Sequence, residues 1–146
     1  MSAAMSTSRP PSLQERAFHG APDVQRPGSE AALAHLLRDA HAEGRRLVPG
    51  GAGAHAALRD HEEGVTGVVS AEAFNTVVEY KPDDFTVGVG AGVPLAELRK
   101  ILAKNGQEIP TDWPRLTPGT VGGLVARAPA GVRQGRYGPL HASVLG

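Results

Sequence analysis

Residues 117–138 read TPGTVGGLVARAPAGVRQGRYG, a run in which glycines and a proline surround a possible helix start. Gly119, Gly122 and Gly123 carry no Cβ, so a second group can approach the main chain closely. Thr120 suits an N-cap, with Val121, Leu124 and Val125 beginning a short apolar helix behind it. Unpaired N–H groups and the positive end of a helix dipole favour a phosphate or diphosphate at such a place. The same run also reads as an ordinary Gly/Pro-rich connection between packed elements, and its residues alone leave both readings open.

A second glycine cluster lies upstream. Residues 46–49, RLVP, have the character of a short strand and run into residues 50–55, GGAGAH. Successive exposed N–H groups in such a loop can form an anion-binding nest. The P-loop pattern fails here, because no Lys-Ser or Lys-Thr follows the glycines. Gly51, Gly53 and Ala56 fit a dinucleotide fingerprint after a strand, but the segment behind them, AALRDHEEG, is too short for a full βαβ crossover.

Between and around these loops the sequence predicts a mixed α+β domain. Residues 1–27 are rich in Ser, Pro, Ala and Arg without sustained periodicity, which predicts a disordered lead-in followed by a folded part over 28–146. Ser29 is placed to cap a helix bearing the stripe Leu33, Leu36, Leu37 and Ala40, closed by Gly44. His35 and His41 sit six residues apart on that helix and do not share a face. Residues 65–69 and 76–80 predict a pair of strands. Residues 81–84, KPDD, predict a turn whose two carboxylates are solvated. Phe85, Val87, Val89 and Ala91 alternate with small residues, predicting a strand whose second face accepts a helix or a ligand at close range. Pro94 is placed at the first position of a helix with the stripe Leu95, Leu98, Ile101 and Leu102, ended by Asn105 and Gly106. Trp113, the single tryptophan, is expected to be buried.

The totals narrow the function. The 146 residues hold 15 Lys plus Arg against 15 Asp plus Glu, so no net charge argues for nucleic acid or an anionic membrane surface. No cysteine is present, which removes disulfides, thiolate metal sites and a cysteine nucleophile. No metal-ligand cluster is expected. No run of about 18 apolar residues predicts a membrane span, and the first residues lack the apolar stretch of a signal peptide. A cytoplasmic protein is the expectation.

The order of parts carries a resemblance. Helix, strand, GGAGAH, strand pair, turn, FTVGVGAGVPLAEL, helix, NGQEIPTD and then TPGTVGGLVARAPAGVRQGRYGPLHASVLG is similar to the N-terminal part of the FAD-binding, PCMH-type domain of the vanillyl-alcohol oxidase superfamily. Within it the pattern most resembles the FAD-binding subunits of glycolate oxidases, from about Ser29 to Gly146. The resemblance implies a small β-sheet flanked by helices, incomplete at its C-terminus, that binds FAD non-covalently. It assigns Gly50, Gly51, Ala52, Gly53 and Ala54 to one side of the FAD diphosphate and Thr120, Val121, Gly122 and Gly123 to the other. Gly131 and the turn Arg136, Tyr137, Gly138 match the family's segment near the flavin.

The chain also departs from the pattern. Ala54 stands where the family often has Thr, Ser or a flavin-linked His, with His55 one residue later. Ala128 and Ala130 stand where Asn and Ser are common, removing two side-chain hydrogen-bond partners worth about 0.5 to 1.5 kcal/mol each. Residues 141–143, HAS, replace a common Arg-Asp. The resemblance implies part of an FAD-dependent oxidoreductase acting on a 2-hydroxy acid, with a second subunit or a C-terminal half as a partner. The departures also fit a non-catalytic binding or assembly subunit, or a truncated product, that keeps the fold without turnover. A relative of UDP-N-acetylenolpyruvylglucosamine reductase is a third reading. No catalytic residue is named by any of them.

Overall fold

The computed structural model describes residues 23–51, 64–113 and 118–146. Strands β1 (Val24–Gln25), β2 (Leu47–Gly50) and β3 (Gly67–Ser70) form a parallel sheet in the order β1-β3-β2. All four residues of β3 are buried. A central parallel strand is covered on both faces, so GVVS is a continuous buried run and not an alternation. β2 lies at the sheet's edge, where Pro49 is tolerated because only one side of the strand must be hydrogen-bonded.

The domain starts earlier than position 28. Val24 and Gln25, inside the stretch read as a lead-in, pair with Val68 and Val69. Two residues are too few to display a period, so this strand left no mark on the sequence pattern. Residues 1–22 lie outside the described residues.

Helix α1 (Glu30–Ala42) has the expected ends. Ser29 Oγ accepts the Ala32 N–H at 3.2 Å, and Gly44 takes a positive φ of 66° beyond the C-cap. Its stripe is narrower than expected: Ala40 is buried, Leu33 and Leu36 are half-buried, and Leu37 is 49% exposed. His35 and His41 are both exposed, with His35 Nδ1 2.7 Å from an Asp39 carboxylate oxygen.

The strands expected as a pair at 65–69 and 76–80 belong to different sheets. β4 (Val77–Lys81) pairs instead with β5 (Thr86–Val89), antiparallel, through a 3-10 turn at Pro82–Asp84. A short turn closes an antiparallel pair directly, whereas the chain must cross over to reach a parallel neighbour. Asp83 and Asp84 are exposed in the turn, as expected. Phe85 does not begin the strand. It closes the turn in the left-handed region at φ 55°, donates its N–H to the Pro82 carbonyl, and is 82% exposed. The register slips between Val77 and Glu79, leaving Val78 as a bulge residue that is 78% exposed. In an uninterrupted strand Val77 and Tyr80 point to opposite faces; the extra residue resets the phase, and both pack on the same core.

That core is built on α2 (Leu95–Ala103). Leu98 and Leu102 join Val93 beneath the hairpin residues Val77, Tyr80, Val87 and Val89. Leu95, one turn earlier, packs with Trp113 and with Leu124 of α3 (Val121–Arg127). Fully burying one of these leucines is worth about 1.5 to 3 kcal/mol. Gln107 ties the hairpin to the end of α2: its Oε1 accepts the Tyr80 hydroxyl at 2.8 Å and its Nε2 donates to the Pro82 carbonyl at 2.7 Å. Pro94 is the N-cap of α2, one position before the helix proper. The short helix α4 (Gln134–Tyr137) and a 3-10 turn at Leu140–Ser143 complete the described chain, and no helix among the described residues is long and apolar enough to cross a membrane.

Candidate cofactor site

The parallel strands β2 and β3 end together, with Gly50 opposite Ser70 and the Gly50 carbonyl accepting the Ala71 N–H at 3.0 Å. In sheets of parallel strands the carboxyl ends are where ligands are received. At this edge Gly51 meets Thr120. A Cβ on Gly51 would lie 2.5 Å from Thr120 Oγ1 and 3.3 Å from its Cγ2, so the two glycine-rich stretches touch and only a residue without a side chain fits between them.

Thr120 is 2% exposed. It caps α3 as expected, its Oγ1 accepting the Gly123 N–H at 3.3 Å. The other amides of the helix start have partners that the sequence did not reveal. Val121 N–H donates to the Val93 carbonyl at 3.0 Å and Gly122 N–H to the Ala91 carbonyl at 2.8 Å, while Leu95 N–H at the head of α2 donates to the Gly119 carbonyl at 2.9 Å. The heads of α2 and α3 thus satisfy each other through an antiparallel bridge between Pro94 and Thr120. Val121, Gly122 and Gly123 therefore build the junction with their N–H groups already engaged. The N–H groups of Gly51 and Thr120 donate to none of the described residues.

The remaining glycines around the junction allow main chain to pack on main chain. A Cβ on Gly92 would collide with the Ala71 carbonyl, and one on Gly90 with the Phe74 carbonyl. A Cβ on Gly122 would come within 2.9 Å of the Ala91 Cβ. The bare positions just after β5 are accordingly covered by the backbone of residues 71–76, held by the Gly90 N–H to the Thr76 carbonyl and the Gly92 N–H to the Phe74 carbonyl, whereas Gly88 within the strand is exposed beside its partner strand. Ser70, also 2% exposed, accepts the Glu72 N–H on its Oγ at 3.2 Å and turns the chain at the end of β3. The run GAG at 90–92 and a serine closing a buried strand were the available signals for these two features.

Ala52, Gly53 and Ala54, with His55, lie outside the described residues. Gly131 is held elsewhere: a Cβ there would collide with the Asp112 carboxylate, which also accepts the Arg133 N–H at 3.0 Å. Arg133 in turn pairs with Glu108 at 2.6 Å, and that carboxylate raises the guanidinium pKa, first by its hydrogen bond and then by its charge. Arg136 and Tyr137 stand on α4 at the surface, the guanidinium 5.4 Å from its neighbour's ring centroid, with Tyr137 50% exposed. Gly138 follows at φ 79°. No hydrogen bond among the described residues joins these three to Gly51 or Thr120. An open groove of about 520 Å³ lies beside the 131–133 segment, between Arg99, Gln107, Asp112, Trp113 and Arg133, and includes neither Gly51 nor Thr120. Trp113 is buried, with the Arg127 guanidinium 6.0 Å from its ring centroid.

Comparison with known proteins agrees with the architecture. The model of the FAD binding domain family matches residues 22–146. The D-2-hydroxyglutarate dehydrogenase of Xanthomonas citri pv. viticola is 29% identical over 122 residues, which are 82% of this chain and 25% of that protein. Two crystal forms of an alkyldihydroxyacetonephosphate synthase superpose with TM-scores of 0.66 and 0.67 at 23% identity. They cover 90% and 92% of this chain but 28% and 26% of theirs, so the chain spans about a quarter of these proteins, and the two synthase structures speak to the fold alone. With most of its length matched by the family model, the chain belongs to the FAD binding domain family, and its cofactor is FAD.

Proposed function

We propose that this chain holds the diphosphate of a non-covalently bound FAD at the junction of β2, β3 and α3, as the cofactor-binding part of an oxidoreductase that acts on a 2-hydroxy acid. The observation that carries the reading is the apposition of Gly51 and Thr120 at the carboxyl ends of the parallel strands, where a side chain on Gly51 has no room. The N–H groups of Gly51 and Thr120, which donate to none of the described residues, are the donors offered to phosphate oxygens, with residues 52–54 assigned to the same loop by the resemblance. Compared with the expectation, the second loop contributes through Thr120 and not through the amides of Val121, Gly122 and Gly123, which serve the junction itself. Bound FAD would supply the hydride acceptor, and this part of the protein would orient it. The 2-hydroxy acid follows the dehydrogenase relative, whose name states such a substrate.

A second reading, an assembly subunit without turnover of its own, is favoured by the exposed apolar residues Val132, at 90%, and Leu145, at 85%, which suit contact with further polypeptide. A partner subunit or C-terminal half is compatible with both readings.

Ligand discrimination tests the diphosphate site. Titrations of the purified chain should show FAD binding that ADP displaces and riboflavin does not, since ADP shares the diphosphate and riboflavin lacks it. Equal affinity for riboflavin and FAD, or no uptake of FAD, would refute the proposal.

A further inference from the structure

We propose that Thr120 is a positioning residue that sets Gly51 at the end of β2, acting as a buried latch between Gly51 and α3. The inference rests on the diphosphate reading for its consequence, but its geometry is independent of any ligand. Three observations converge on one oxygen. Thr120 is among the most deeply buried side chains of the protein, at 2% exposure. Its Oγ1 accepts the Gly123 N–H, which fixes the side chain's rotation relative to α3. The same Oγ1 is the atom nearest to where a Gly51 Cβ would stand, nearer than Cγ2 by 0.8 Å (3.3 − 2.5). A threonine whose hydroxyl is engaged on the helix side and pressed against the loop on the other transmits the position of α3 to Gly51. The bridge of Pro94 and Thr120 anchors the latch from behind, because the Val93 carbonyl and the Gly119 carbonyl lock the main chain on either side.

The latch predicts a specific pattern of rescue. In Gly51→Ala the added methyl meets Oγ1 first, so removing the threonine side chain should relieve it, with Thr120 Cβ left at an ordinary 3.5 Å. Shortening to serine keeps the offending oxygen and should not. The experiment uses the full chain as G51A, T120A, T120S, G51A/T120A and G51A/T120S. Thermal unfolding is measured without ligand, and FAD affinity is measured well below each melting temperature. G51A should lower both stability and FAD affinity, and G51A/T120A should regain about tenfold of the lost affinity, equal to about 1.4 kcal/mol of coupling. G51A/T120S should regain none. T120A alone should weaken FAD while the protein remains folded, and T120S should restore binding to near the parent value.

Strict additivity of the two substitutions, or equal rescue by alanine and serine, overturns the latch. If G51A does not fold, folding of G51A/T120A supports it and failure of that double variant overturns it. Non-additive melting temperatures in a chain that never binds FAD would leave the latch standing and remove the diphosphate reading instead. FAD binding by the parent chain with additive variants would do the reverse.

Discussion

Replacing Gly92 by alanine tests the main-chain packing that supports the site. Its new Cβ would overlap the Ala71 carbonyl oxygen and lie 2.9 Å from the Ala71 carbonyl carbon and 3.0 Å from the Phe74 carbonyl oxygen. All three are backbone atoms, so no rotamer change relieves the clash. Residues 71–74 must move away from residues 90–92, and the bond from Gly92 N–H to the Phe74 carbonyl, now 2.8 Å, stretches with them. Overpacking of this kind costs about 1 to 3 kcal/mol, and a weakened buried hydrogen bond adds about 0.5 to 1.5 kcal/mol. The sum, about 1.5 to 4.5 kcal/mol, is a large part of the roughly 5 to 15 kcal/mol that stabilises a domain. Urea unfolding of G92A beside Gly28→Ala provides the measurement, since a Cβ on Gly28 meets nothing within 4 Å. A fall of at least about 1.5 kcal/mol in G92A, with G28A close to the parent, is expected. If G92A matched G28A, the close approach of the two segments would be wrong.

Two further substitutions probe the supports on either side. Ala128 ends α3 in the left-handed region at φ 39°, ψ 59°. That conformation costs an alanine about 1 to 2 kcal/mol and glycine's extra unfolded-state entropy offsets about 0.4 to 1 kcal/mol of the gain, so Ala128→Gly should raise stability by up to about 1.6 kcal/mol in urea unfolding. Gln107→Ala removes both bonds from α2's end to the hairpin, leaving the Tyr80 hydroxyl and the Pro82 carbonyl without this partner, and should cost about 1 to 3 kcal/mol. Loss of stability in A128G, or none in Q107A, would contradict these assignments.

The sequence made α1, α2 and α3 legible because their signals are local, whereas the single turn of α4 lies where a turn at 136–138 was expected. Ser29 and Thr120 cap as their side-chain chemistry requires, Gly44 and Gly106 take the positive φ that ends a helix, and Leu95, Leu98 and Leu102 repeat at the helical period on one buried face. The α+β class and the two glycine-rich stretches followed from the same kind of reading. The parts that escaped it depend on distant partners. β1 is two residues long, the bulge at Val78 shows only in the pairing with β5, and the split of the expected strand pair between two sheets is a matter of topology. The amides of Val121 and Gly122 look free in a sequence, because nothing local announces that the carbonyls of residues 91 and 93 will reach them. Gly131, matched by resemblance to the segment near the flavin, lies against the Asp112 carboxylate among the described residues, a contact that nothing local in the sequence announces.

The most direct measurement is a structure of the chain with FAD bound. Phosphate oxygens are expected within hydrogen-bonding distance of the Gly51 and Thr120 N–H groups, with the N–H groups of Val121 and Gly122 still donating to the carbonyls of Val93 and Ala91. A diphosphate seated in the groove between Arg99 and Arg133, with Gly51 and Thr120 untouched, would contradict it.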